Sequence, residues 1–289
     1  MKMETVCRQF APCTALLQCP LCGSALRLQA YSLMCTEGHC FDLSKRGYAN
    51  LAPQQSQRSG HYDAALFQNR QVVFADGFYA PLLSALRERV LTALASVHAN
   101  APCVLDAGCG EGYYAHALQA ALGTTAQVIG MDLSREAVVL ACGRQGDARF
   151  VVADLSRIPL RDASAHAVLN LLSPANYAQF ARVLHPCGQL IKVVPGPQYL
   201  QELRTAAVPQ LRHAAQDATP VVDRLQERFS LLSDTRVTCT SSVTPAQAQR
   251  FWRMTPMTAH LDERHVDFCA LRTITVDLRI LCAVPRQDI

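Results

Sequence analysis

The chain has 289 residues, half of them hydrophobic, and a formal net charge of +4. That length supports one large core plus a small appendage, and no apolar run approaches a membrane span, so a membrane-embedded reading is set aside. The first 60 residues carry six basic against three acidic side chains. That excess is too small to establish nucleic-acid binding, and it would shrink further if cysteines there were thiolates on a metal.

Residues 1–18 read as an N-terminal extension of low information. Phe10–Leu17, after Lys2 and Arg8, could mimic a secretion signal, but it is short, contains Pro12 and runs into a cysteine pair. Thirteen cysteines, odd in number and scattered through alternating strands and helices, favour a reduced, cytoplasmic chain over a disulfide framework.

Cys19-Pro-Leu-Cys22 is followed, twelve residues on, by Cys35-Thr-Glu-Gly-His39. Two ligand pairs on tight turns, separated by a short hairpin, match structural zinc held by three cysteines and one histidine. The bland alternative is a set of ordinary buried cysteines. Leu26-x-Leu28 and Tyr31-x-Leu33 alternate as hairpin strands should. A module this small lacks a core of its own, so metal binding supplies most of its folding energy. Cys40 is an alternative fourth ligand, although the reach of the turn favours His39. Four protein ligands leave no open position, so the zinc is expected to be structural and no catalytic metal is expected.

The stretch Phe41–Pro53 mixes aromatic, amide and basic side chains and completes a module over 19–53 that could face RNA. Arg27, Lys45, Arg46 and Arg58 are candidate phosphate contacts, though each alone is more commonly a solvated charge. Residues 54–63 have loop composition and mark a boundary. A helix is expected from Ala64 to Asp76, with Leu66, Val73 and Phe74 apolar and Arg70 between them. A second runs from Tyr79 to Val97 on Leu82, Leu83, Leu86, Val90, Leu91 and Leu94. Residues 54–100 thus read as a linker and helices packing on a catalytic domain over 101–289.

From Cys103 the chain alternates strand and helix, which predicts a parallel sheet with crossover helices. The strand Cys103–Asp106 enters a turn with Gly108, Gly110 and Gly112, whose spacing is not that of the dinucleotide fingerprint. A carboxylate at the strand end, Asp106, and another near the turn suit a cation better than a phosphate. S-adenosylmethionine carries a sulfonium and an ammonium, and Asp-x-Gly-x-Gly resembles the first motif of class I methyltransferases that use it. Tyr113 and Tyr114, opening the next helix (113–122), join Asp106 and the three glycines as candidate cofactor contacts. The strand Gln127–Asp132 ends in a carboxylate that could accept from ribose hydroxyls. After a helix at 135–142 and a strand at 149–153, Asp154 could accept from the adenine amine. The strand Ala167–Leu172 ends near Asn170 and Asn176, candidates for orienting the acceptor base, with Asn170 also a candidate cofactor contact. A helix at 177–184 and a strand at 189–194 follow, then the rim loop Pro195-Gly-Pro197.

Ligands of such sheets bind at the carboxyl ends of parallel strands, where these polar tips converge. Residues 199–230 read as helix. Strands at 235–242 and 273–284, with a helix at 247–254 between them, end the fold. Trp252 could stack on a base, but a core role is the commoner one. The expected architecture is α/β: a Rossmann-like, mostly parallel seven-stranded sheet with a small zinc-ribbon-like module.

From Cys19 onward the order of segments resembles the 23S rRNA (guanine-N1-)-methyltransferases of the RlmA type. The markers are Cys19-Pro-Leu-Cys22 with Cys35/His39, Phe41-Asp-Leu-Ser-Lys-Arg-Gly-Tyr-Ala-Asn-Leu51, Phe78-Tyr-Ala-Pro-Leu82, Leu105–Tyr114, Val194-Pro-Gly-Pro197 and Met254-Thr-Pro-Met257. The resemblance implies methyl transfer from S-adenosylmethionine to N1 of a guanine in a 23S rRNA hairpin, by a homodimer whose zinc modules help hold RNA. Asn170–Asn176 and Ile191-Lys-Val-Val-Pro-Gly196 look closer to the Gram-positive branch associated with macrolide resistance. Departures are the first eighteen residues, Cys40, and Cys187-Gly188 where relatives tend toward Pro-Gly-Gly. N1 transfer needs the Watson–Crick edge free and a group that helps the N1 proton leave, and the sequence does not identify that group. A small-molecule methyltransferase and a noncatalytic RNA-binding adaptor are the competing readings. The first would need an enclosed apolar pocket, and the intact acidic tips speak against the second.

Overall fold

A computed structural model describes residues 2–52, 63–95, 97, 99, 101–207 and 218–286. Helix α1 (Met3–Thr14) precedes three short strands, β1 (Arg27–Gln29), β2 (Ser32–Met34) and β3 (Cys40–Asp42), which pair antiparallel as a sheet of their own. Strand β4 (Tyr48–Asn50) and helices α2 (Ala64–Ala75) and α3 (Ala80–Ala95) follow. The alternating part comprises β5 (Cys103–Ala107), α4 (Tyr113–Leu122), β6 (Gln127–Asp132), α5 (Arg135–Cys142), β7 (Arg149–Val152), β8 (Ala165–Leu171), α6 (Tyr177–Val183) and β9 (Leu184–Pro195). It closes with α7 (Gln201–Ala207), α8 (Thr219–Gln226), β10 (Phe229–Ser242), α9 (Pro245–Met254) and β11 (Thr273–Pro285). The expected helix over 199–230 is thus two helices, with 208–217 outside the described residues, and β10 starts at Phe229 rather than Thr235. Among the described residues no helix is long and apolar enough to cross a membrane.

The main sheet has the order β10-β11-β9-β8-β5-β6-β7-β4. The six strands from β9 to β4 run parallel, and β11 and β10 close one side antiparallel. Seven of these strands are the expected ones. The eighth corrects the expectation: β4, from the segment read as part of the zinc module, pairs with β7 at Tyr48↔Phe150, Ala49↔Val151 and Asn50↔Val152. Three residues carry too little periodicity to announce a strand, and here the template is the open edge of β7.

Both faces of the sheet are covered. All five residues of β5 are buried, and period-two alternation sends Val104 to the core under α3, α4 and α9, and Cys103, Leu105 and Ala107 to the opposite core with α1, α6 and α8. Asp106, in phase with Val104, is thereby directed to the face that α2, α3 and α4 cover. Helix α9 starts on a capping box, Thr244 and Gln247 satisfying each other's backbone N–H groups. Trp252 is buried against Phe268, with ring centroids 6.0 Å apart, so it is core and unavailable for stacking on a base.

The first eighteen residues are more than an extension. Helix α1 buries Val6, Phe10 and Cys13 in the same core as Leu105 and Val151, and Arg149 Nε donates to the Gln9 carbonyl (2.7 Å). Leu17 then bridges antiparallel to Leu160. Only three of its twelve residues are buried apolar side chains, with Thr14 a fourth buried position, which is why the segment reads as low in information. Phe10→Ala should therefore destabilise the whole protein by about 3–5 kcal/mol, read as a lower midpoint in denaturant, whereas a loose appendage would leave the midpoint unchanged.

Candidate cofactor site and metal centre

The end of β5 and the loop after it are built around backbone contacts. The N–H groups of Gly108 and Cys109 both donate to the Met131 carbonyl (2.8 and 2.9 Å), folding the turn over the tip of β6. Gly108 and Gly112 have φ of +86° and +78°. A Cβ on Gly108 would collide with the Ser173 side chain, and one on Gly112 would lie 2.8 Å from Ala141 Cβ and 2.9 Å from the Phe150 ring. Gly112 is thus a packing glycine between α4, α5 and β7, and Gly108 admits the loop after β8. Around Gly110 there is more room, the nearest atoms to a Cβ being Arg70 Nη1 at 3.6 Å and Phe67 Cε1 at 3.7 Å.

Three carboxylates surround this turn. Asp106 is 1% exposed, and neither of its oxygens has a hydrogen-bond partner among the described residues. Burial, reinforced by the charges of Asp132 and Glu111 and opposed by the Ala115 backbone N–H, which lies too far or too bent for a full hydrogen bond, pushes its carboxyl up to about 7. Glu111 is equally buried, with Oε1 unpartnered, and burial raises it too against the lowering charge of Arg70. Asp132, at the tip of β6, accepts from Gly110 N–H through Oδ2 (2.9 Å) and from Ser134 N–H through Oδ1 (2.9 Å). Each of its oxygens keeps a further lone pair for a ribose hydroxyl. Unpartnered buried carboxylate atoms beside a turn open at Gly110 suit a ligand with positive groups. S-adenosylmethionine, with a sulfonium, an ammonium and a ribose, matches that donor demand.

The other predicted contacts are distributed unevenly. Tyr114 is buried, its ring 5.5 Å from Phe74, while Tyr113 is half-buried with Arg144 over its face at 5.8 Å. Asp154 follows β7 and caps the next turn by accepting from Ser156 N–H (2.7 Å). Asn170 lies at the end of β8. It is fully buried, its Nδ2 donates to the Ala107 and Pro174 carbonyls (2.8 and 3.0 Å), and its Oδ1 accepts from Lys192 Nζ (2.5 Å). Its amide joins β5, β8 and β9. Asn176 caps α6 through Gln179 N–H (3.1 Å) and lines a cleft of about 250 Å³ with Arg224 and Arg228. Sequence reasoning gave no site role to Lys192 or to Arg70. Lys192 also donates to Ser173 O (2.7 Å), and burial lowers its ammonium to about 8. A lysine between Leu190-Ile191 and Val193-Val194 in an apolar strand was the available signal.

The second site is separate. Sγ of Cys19 and Cys35 lie 3.5 and 3.4 Å from His39 Nδ1, Cys22 Sγ is 3.7 Å from Cys35 Sγ, and all four ligand atoms fall within 4.8 Å of one another. Tetrahedral zinc with bonds of about 2.3 Å requires edges of about 3.8 Å, and three contacts here are 3.4, 3.5 and 3.7 Å with the others within 4.8 Å. Cys40 lies outside the cluster, exposed on β3 with its thiol 4.0 Å from Asp42 Oδ1. Arg27, Lys45 and Arg46 are exposed on the same module, and Arg58 lies outside the described residues.

Residues 17–60 match the family described as RlmA, N-terminal, and 104–192 match the methyltransferase domain family. The chain is 34% identical over 280 residues to a Bacillus subtilis (strain 168) protein that carries the name 23S rRNA (guanine-N(1)-)-methyltransferase YxjB, covering 92% of this chain and 96% of that one. It is 31% identical to the 23S rRNA (guanine(748)-N(1))-methyltransferase of Streptomyces fradiae, over 85% of this chain and 86% of that one.

Two outcomes follow for these sites. A bound cation favours ionised Asp106, so below pH 7 binding of S-adenosylmethionine must expel a proton, and affinity should rise by up to about tenfold per pH unit toward pH 7 and then level off. Calorimetric titration from pH 5.5 to 8.5 should show this slope in the wild type and lose it in Asp106→Asn. For the metal, Cys19→Ser should release zinc and unfold the module, whereas Cys40→Ser should retain one zinc per chain by metal analysis.

Proposed function

Since the chain belongs to the 23S rRNA (guanine-N1-)-methyltransferases of the RlmA type, we propose that it methylates N1 of a guanine in a 23S rRNA hairpin, using S-adenosylmethionine. The observation that carries this reading is the pairing, in one chain, of a cation-seeking carboxylate cradle with a three-cysteine, one-histidine zinc module of the matching family.

The donor supplies a methyl group made electrophilic by its sulfonium. The protein's part is to hold reactants in line and keep water out. In this reading Asp106 binds the ammonium, Asp132 the ribose hydroxyls and Asp154 the adenine amine, with the turn at Gly108–Gly112 supplying main chain at the closest approach. Zinc is structural: Cys19, Cys22, Cys35 and His39 hold it, and it keeps β1, β2 and β3 in register beneath the exposed cations Arg27, Lys45 and Arg46. Arg58 is carried as a further RNA contact from its charge alone. The cleft beside Asn176, with Arg224 and Arg228, supports phosphate contacts close to the tip of β8. A guanine presented there must leave its stack, which favours a loop nucleotide. The reading includes a cytoplasmic location, from the scattered, odd set of thirteen cysteines, and a homodimer and a contribution to macrolide resistance, both resting on the resemblance alone. The domain division is carried as read, 19–53 for the zinc module and 101–289 for the transferase, with 54–100 joining them.

Incubation with labelled S-adenosylmethionine and unmodified 23S rRNA, followed by mapping of the label, tests the proposal. One methyl on a hairpin guanine N1, visible as a block to reverse transcription, is the expected result. Binding of the RNA without transfer would favour an adaptor, and transfer only to small molecules would overturn the RNA reading.

A further inference from the structure

Arg70 is unused by the site as described so far. Helix α2, capped by Asp63 accepting from Leu66 N–H (2.8 Å), lies across the glycine turn and brings Arg70 Nη1 and Phe67 over Gly110. The guanidinium is fixed rather than waving in solvent. Its Nη2 donates to the Met254 carbonyl at the end of α9 (3.1 Å), and its Cζ stands 5.4 Å from the Phe67 ring centroid. From there its charge acts on both Glu111 and Asp132.

The amino-acid half of S-adenosylmethionine presents two opposite charges on one carbon, an ammonium and a carboxylate. Asp106 can meet the first. The second would enter a space already bordered by Asp106, Glu111 and Asp132, where an unpaired carboxylate is repelled and poorly solvated. A cation is therefore required on the open side of the turn, within reach of the backbone at Gly110. Arg70 occupies that place, and its planar fork suits bidentate recognition of a carboxylate. Arg144, the other arginine whose charge is felt at Glu111, stands instead over the outer face of Tyr113.

We propose that Arg70 is a clamp for the α-carboxylate of the donor's amino-acid half, and that it stands in as counter-charge to Glu111 and Asp132 before the donor arrives. This rests on S-adenosylmethionine being the donor. The same guanidinium anchors the start of the Met254-Thr-Pro-Met257 stretch, so donor binding fixes α2 against α9.

The test compares two ligands by calorimetry, S-adenosylmethionine and its decarboxylated form, which keeps the sulfonium and the amine but lacks the carboxylate. Wild type should prefer the carboxylated ligand by about ten- to a hundredfold. Arg70→Met should reduce that preference to near unity while binding the decarboxylated ligand within about threefold of wild type. Arg70→Lys should retain part of the preference, and Arg144→Met all of it. A wild-type preference below about threefold would overturn the clamp whether or not the variants fold. So would an Arg70→Met protein that weakens both ligands equally, or an Arg144→Met protein that loses the preference. Failure of wild type to bind either ligand would strike the donor reading itself and the clamp with it.

Discussion

Asp106 sits where β5 gives way to the glycine turn, sealed from water, with no side chain paired to either carboxylate oxygen among the described residues and only the Ala115 backbone N–H acting on it. Burying such a group without a side-chain partner works against folding, and the apolar packing on both faces of the sheet offsets it. Every strand tip named in the donor site is set by this arrangement. Gly108 and Cys109 clamp to Met131, which fixes β6 and with it Asp132, and Asn170 ties the Ala107 carbonyl to the loop after β8. A site strained toward a positive ligand in this way is organised before the ligand binds, so little reorganisation remains for the reaction.

The zinc module is joined to that frame by backbone pairing. Strand β4 extends the main sheet beside β7, which is itself paired to β6, and Leu51 N–H donates to the Val152 carbonyl (2.8 Å). The module that presents Arg27, Lys45 and Arg46 is therefore two strands away from the carboxylate assigned to the ribose. Helix α1 packs on the same face of the sheet as the module, burying Phe10 together with Leu33 and Phe41. RNA held by the module would be held near the donor, since only residues 43–47 separate β3 from β4, which pairs directly with β7.

Much of this was legible in the sequence. Strong alternation made β5 through β9 and the closing pair β10 and β11 readable, and two cysteine pairs at zinc spacing announced the metal site. What escaped depended on contacts between distant residues. Arg70 meets Met254 across 184 positions, and nothing local marks it as anything but a helix-surface arginine. Asn170 read as a rim amide because its strand ends there, yet two carbonyls and a buried lysine converge on it and turn it inward. Strand β4 is three residues long, and α1 shows its apolar stripe only once the sheet beneath it is known. His39 and Cys40 are adjacent in sequence and differ by one peptide in direction, which only the fold of the turn separates.

The central claim is that Asp106 is held at a cost to the free protein because the donor's cation relieves it. A raised carboxyl value means the cost grows as pH climbs from about 4 to about 7 and is fully present above that. The direct measurement is thermal unfolding of wild type and Asp106→Asn at pH 8, each with and without S-adenosylmethionine. The free variant should melt at a higher temperature than free wild type, and saturating ligand should stabilise wild type far more than the variant. A free variant that melts lower than wild type, or gains as much from the ligand, would contradict the account.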